Sequence, residues 1–79
     1  METTYNGWAN WETWNTSLWF DGYFDAEELA DEDDPAGYVE QVVTDLLLEG
    51  VQGLASDFIS TSLGRVDWQE IADSVLAGV

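Results

Sequence analysis

Tyr5-Asn6-Gly7-Trp8-Ala9-Asn10-Trp11-Glu12-Thr13-Trp14-Asn15-Thr16-Ser17-Leu18-Trp19-Phe20 holds four of the five tryptophans in a chain of 79 residues. An indole ring of this kind removes roughly 150–250 Å² from water when buried. At about 25 cal/mol per Å², four of them supply on the order of 15–25 kcal/mol of gross burial before entropy is subtracted. No other segment carries comparable apolar area, so this stretch is expected to anchor the later elements. Tyr5-Asn6-Gly7 has the composition of a turn. Asn10 is a helix N-cap, Glu12 suits the positive end of the macrodipole, and Trp11, Trp14, Leu18 and Trp19 follow helical spacing. Asp21-Gly22 closes the helix, the glycine being free to take the left-handed conformation. These aromatics serve either as core or as a ring-lined ligand or partner pocket. Asn15-Thr16-Ser17 matches a glycosylation sequon, which is discounted mid-helix in a chain whose Met1-Glu2-Thr3-Thr4 start does not read as a secretion signal.

Outward from that helix, start signals recur. Asp25 caps a short helix over 26–30, with Glu28 at the third position and a Phe24–Leu29 staple. Asp31-Glu32-Asp33-Asp34 follows and ends in Pro35, a favoured first helical residue, with Asp34 or Asp33 as cap. Tyr38, Val39, Val42, Val43, Leu46 and Leu47 then trace a helical stripe that leaves Glu40, Asp45 and Glu49 on the wet side. Gly50 stops or kinks it. A further helix over 52–63 is expected to bury Leu54, Ala55, Phe58, Ile59 and Leu63. Val66-Asp67-Trp68-Gln69-Glu70-Ile71 repeats cap, third-position carboxylate and staple, and Gly78 ends the last helix. The β-branched content of 39–43 and 59–61 permits strand. The expected fold is a single all-α domain over 1–79, a compact bundle of four to five short helices around a tryptophan-rich first helix.

Composition removes whole classes of chemistry. There is neither cysteine nor histidine, which excludes disulfides, thiolate or imidazole metal sites and His-dependent catalysis. No apolar run is long enough to cross a membrane, so a cytoplasmic protein is expected. Seventeen Asp and Glu face one Lys or Arg, Arg65, for a formal charge of -16. Such repulsion loosens a compact state while keeping it soluble. Acidity at this level is also a disorder signature, but disordered chains are poor in aromatics, and this one is 14% aromatic and 46% hydrophobic. It therefore folds. Its carboxylates have almost no internal counter-charge and must face solvent or a partner that brings cations.

Paired carboxylates alone are a poor signal for glycosidase chemistry when acids are this abundant, and nothing separates their pKa values. The 31–34 block aligns badly with a calcium loop, because Pro35 takes a ligand position and Gly37 comes one place late. No catalytic, cofactor-binding or metal-ligating residue is expected. One reading uses all the acids. Carboxylates three or four apart on a helix lie about 5–6 Å from each other, on the scale of phosphate spacing, and DNA-binding clefts are lined with Lys and Arg. Asp21, Asp25, Glu28, Asp31, Glu32, Asp33, Asp34, Glu40, Asp45 and Glu49 are accordingly the candidate partner-binding residues, imitating a phosphate rail. A solvating surface is the plain alternative, although a net charge of about 2–8 already keeps a small domain soluble. The partner is a host DNA-binding protein; the chain itself binds neither nucleic acid nor membrane, and self-repulsion favours a monomer.

Two resemblances bear on this. Asn6-Gly7-Trp8-x-Asn10-x-Glu12-Thr13-Trp14-Asn15 followed by Leu18-Trp19 resembles the opening of small proteins carried by phages and mobile elements. Val66-x-Trp68-x-x-Ile71-Ala72 is similar to their endings. The small size, the acidity and the lack of Cys and His resemble the phage anti-CRISPR proteins, in particular small acidic inhibitors of type I-C systems. That resemblance implies DNA mimicry, with binding to the large, PAM-reading subunit of the surveillance complex and blockage of target DNA. Many of the motif relatives are less extremely acidic, which implies that the motif is scaffold and the charge is this chain's own function. An acidic phage adaptor using exposed tryptophans, or a mimic aimed at another DNA-binding host protein, is the alternative.

Overall fold

Asn10, Asp25, Asp34 and Asp67 each turn a side-chain oxygen onto an amide of the first helical turn, from Thr13, Glu27, Gly37 and Glu70 respectively. A helix starts at the next residue each time. The computed structural model describes residues 6–77, and over them the helices are α1 (Trp11–Trp19), α2 (Ala26–Ala30), α3 (Pro35–Leu48), α4 (Leu54–Leu63) and α5 (Trp68–Leu76). The chain is all-α; 39–43 and 59–61 are helical, and no strand occurs among the described residues. Gly22 takes φ +78° after α1, and Gly50 takes +73° after α3. Helix α4 starts at Leu54 rather than 52. Its cap position is Gly53 at φ +71°, which offers no side-chain oxygen. The turn expected at Tyr5 and the stop at Gly78 lie partly or wholly outside the described residues.

The molecule is a slab of 39 × 36 × 19 Å, about two helix diameters thick. Its core is Leu29, Val39, Val43, Leu63, Val66, Ile71 and Ala72. These come from α2, α3, α4, α5 and the α4–α5 turn. Helix α5 packs against α1, α2 and α3, most extensively against α3. The centre is therefore α5 and not the tryptophan helix. Ala72 is fully buried, and so small a side chain lets neighbouring helices approach closely. Large rings cannot do this, and α1 buries only Thr13, while Trp11, Leu18 and Trp19 stay exposed. Trp8 packs against the core from its edge.

Helix α4 buries less than its pattern predicts. Leu63 is buried and Ile59 partly so, but Leu54 is 69% exposed, Phe58 66% exposed, and Ala55 lies open. Helix α4 packs chiefly on α3. With so few helices, nothing remains to cover its outer apolar flank.

Helix α1 is held by polar contacts. The Thr13 hydroxyl donates to Asn10 Oδ1 at 2.6 Å and accepts the Asp67 amide at 2.8 Å. Asn10 Nδ2 donates to the Arg65 carbonyl at 2.6 Å, and the Ala9 amide donates to Glu70 Oε1 at 2.8 Å. The capping box read at 67–70 is thus half opened. Asp67 still caps Glu70, but the Glu70 carboxylate and the Asp67 amide both bond to the α1 region instead of to each other. Val66 and Ile71, the staple pair, are buried.

Candidate partner-binding surface

Residues 21–49 carry eleven of the seventeen carboxylates and no cation. All eleven side chains are exposed. Arg65, the single cation, lies on the α4–α5 turn, where its Nη1 meets Glu12 Oε2 at 3.3 Å. That bridge is half exposed and belongs to the α1 contact, so it neutralises nothing between 21 and 49.

The local structure fixes how these acids are presented. Asp25 and Asp34 are committed as caps through one oxygen each, and Asp31 is the C-cap of α2. Two caps flanking a four-residue connection explain why the 31–34 block is ordered instead of trailing as a charged loop. On α2, Glu27 and Asp31 are four apart and face away from buried Leu29. Along α3, Asp34, Tyr38, Asp45 and Glu49 are spaced four, seven and four residues apart. At 3.6 residues per turn they form one stripe about 22 Å long. Glu40 does not join it, since five residues place it about 140° around the axis from Asp45. The structure therefore aligns Asp34, Asp45 and Glu49, sets Asp31, Glu32 and Asp33 at the head of that row, and leaves Glu40 on the other flank. Asp21 stands apart in the α1–α2 connection, on the rim of a cleft of about 430 Å³ walled by Trp8, Trp14, Phe20 and Phe24.

Two groups escaped the sequence reading. Glu27 is as exposed as the acids around it. Tyr23 and Tyr38 also belong to the surface: Phe20, Tyr23, Phe24 and Tyr38 form a chain of edge-to-face and tilted rings with centroids 5.1–6.4 Å apart. The helical spacing puts Tyr38 on the apolar stripe of α3, yet only Val39 and Val43 of that stripe are fully buried. The alternation Phe20-Asp21-Gly22-Tyr23-Phe24-Asp25, rings among acids around a glycine, was the available signal. A second surface opens between α1, α3 and α4, where Trp11, Leu47, Phe58 and Val66 line an apolar groove of about 290 Å³.

Among the described residues no three carboxylates converge as a metal site, and no helix is long and apolar enough to cross a membrane. What the surface offers chemically is fixed negative charge beside exposed rings. No curated protein and no solved structure matches the chain. One family model matches residues 1–77, so it takes in the polar contacts of α1, the acidic surface and the packing helix α5 together. The chain belongs to that family, described as a family of unknown function (DUF7249).

Proposed function

We propose that this chain is a non-enzymatic DNA mimic that acts in the cytoplasm, as a monomer, by occupying the DNA-recognition cleft of a host nucleic-acid-binding complex. The observation that carries the reading is the run of eleven exposed carboxylates in residues 21–49 without a single internal cation. Uncompensated charge of one sign on a folded surface steers association with an oppositely charged cleft and makes affinity salt-sensitive. The row through Asp34, Asp45 and Glu49, headed by the 31–34 block, lays part of that charge along one line, with Asp45 and Glu49 one helical turn apart. The resemblance to small acidic anti-CRISPR proteins suggests the target: the PAM-reading large subunit of a type I surveillance complex, type I-C in the first instance.

The test is a pull-down of host proteins at two ionic strengths, followed by competition with duplex DNA on the captured target. Mimicry expects capture at low salt, loss at moderate salt and displacement by DNA. A target that holds this protein and its DNA simultaneously ends the proposal.

A second reading is favoured by Trp19, 77% exposed, and by Trp11 on the α1–α4 groove. Exposed indoles are common interface anchors, and an acidic adaptor of phage origin would use them. Its partner would bind in a salt-tolerant manner and would ignore DNA.

A further inference from the structure

We infer that the cleft walled by Tyr23, Phe24 and Tyr38 seats an arginine side chain of the protein partner. This rests on the mimicry proposed above and names the residue type that the acidic surface would engage.

Phe24 is the ring that both tyrosines contact. Tyr23 stands 73° to it at 5.1 Å, and Tyr38 stands 72° to it at 6.4 Å. All three rings line one cleft of about 260 Å³. The tyrosines are 57% and 41% exposed, so both can be reached from solvent. Asp25 and Glu28 line the same cleft. Asp25 commits Oδ1 to the Glu27 amide, which leaves its second oxygen, and the Glu28 side chain has no hydrogen bond or ion pair among the described residues.

The occupant follows from charge and shape. An apolar anchor would have to be buried beside two carboxylates, which is unfavourable. A cation is attracted both by the carboxylates and by the faces of the rings. Between the two cationic side chains, guanidinium is planar, weakly hydrated and forked, so it stacks on a ring while bonding a carboxylate; ammonium is compact and strongly hydrated. Arg65, the one Lys or Arg of the chain, is paired with Glu12 and does not fill the cleft.

The experiment uses the intact protein alone, titrated with N-acetyl-arginine methylamide, its lysine counterpart and its neutral citrulline isostere. Ring and backbone resonances are followed by NMR. Saturable shifts centred on Tyr23 and Tyr38 are expected with arginine, at least fivefold weaker binding with lysine, and none that saturates with citrulline. Tyr38→Leu and Tyr23→Leu, checked for helicity, should each weaken arginine binding at least threefold while keeping every carboxylate. Equal binding of citrulline or of lysine overturns the assignment, as do shifts that centre on residues 31–34 and survive both leucine variants. Neither partner nor DNA is present, so failure here is separate from failure of the DNA competition.

Discussion

The amide of Asp67 donates to the hydroxyl oxygen of Thr13 at 2.8 Å, across 54 positions of sequence. Thr13 is fully buried, the one buried polar residue among those described. Its hydroxyl hydrogen goes to Asn10, so both roles of the group are used. Thr13→Val keeps shape and β-branching but leaves the Asp67 amide without its acceptor. The expected loss is about 1–3 kcal/mol, or a fall in Tm of about 4–8 °C per kcal/mol for a domain of this size. Thr13→Ser, which keeps the hydroxyl, should lose less than half as much. Thermal denaturation of the pair decides it, and a larger loss in Thr13→Ser than in Thr13→Val would mean that the methyl group, not the bond, holds α1.

The helix starts were legible because capping is local. Asn10, Asp25, Asp34 and Asp67 act on amides two or three residues away, so their signatures are complete within a few letters. What the caps bond to across the fold was not legible. Glu70 carries the same signature whether it closes its own box or reaches Ala9, and only packing selects between them. Burial failed for a related reason. The pattern in Leu54, Phe58 and Leu63 says which flank of α4 is apolar, but not whether anything remains to cover it. Likewise the area of Trp19 measures what burial could gain, whereas the small Ala72 decided where helices could meet.

Asp34 serves two purposes that substitution separates. Its carboxylate accepts the Gly37 amide at 3.1 Å, and it belongs to the acidic row. Asparagine caps as well as aspartate does, so Asp34→Asn should leave stability unchanged or slightly raised through reduced repulsion. Asp34→Ala should cost about 1 kcal/mol. A Cβ on Gly37 would overlap the Asp34 carboxylate, so Gly37→Ala should gain little in the natural chain. In the Asp34→Ala background the same change should recover about 0.5–1 kcal/mol of helix propensity. Denaturant midpoints of the four proteins measure the coupling, and additive effects would contradict it.

Salt should act with opposite signs on folding and on binding. Screening lengths fall from roughly 30 Å at 0.01 M to roughly 3 Å at 1 M. Seventeen carboxylates face one arginine, whose bridge to Glu12 is the one ion pair among the described residues, so repulsion dominates the folded state and added salt should raise Tm. Attraction to a cationic cleft is screened by the same ions, so affinity should fall. Tm and affinity measured over one salt series test both. A Tm that falls with salt would mean that internal attraction, not repulsion, governs this surface.

Direction of charge can be distinguished from its amount. Asp31→Asn/Asp33→Asn and Asp57→Asn/Asp73→Asn each remove two negative charges, the first pair from the head of the acidic row and the second from α4 and α5. None of the four is a side-chain helix cap. If the row meets the partner, the first pair should weaken binding at least tenfold and the second less than threefold. Equal losses would reduce the row to a contributor of bulk charge.

Trp19 separates the mimic from the adaptor with little risk to the fold. Its ring is mostly in water and stands outside the core and the residues packed on it, so Trp19→Ala should change stability by no more than about 0.5 kcal/mol, as surface substitutions do. Trp8 is a poorer choice, since it packs against the core and its removal would mix folding with binding. Under mimicry Trp19→Ala keeps most of the affinity, because attraction comes from the acids and the tyrosine cleft. Under the adaptor reading an exposed indole is an anchor whose truncation costs 2 kcal/mol or more, roughly thirtyfold in Kd. Calorimetry of Trp19→Ala and Trp11→Ala against the captured partner, with helicity checked by circular dichroism, assigns the anchor. A thirtyfold loss at either position, together with indifference to competing DNA, would move the binding surface from the acidic row to α1.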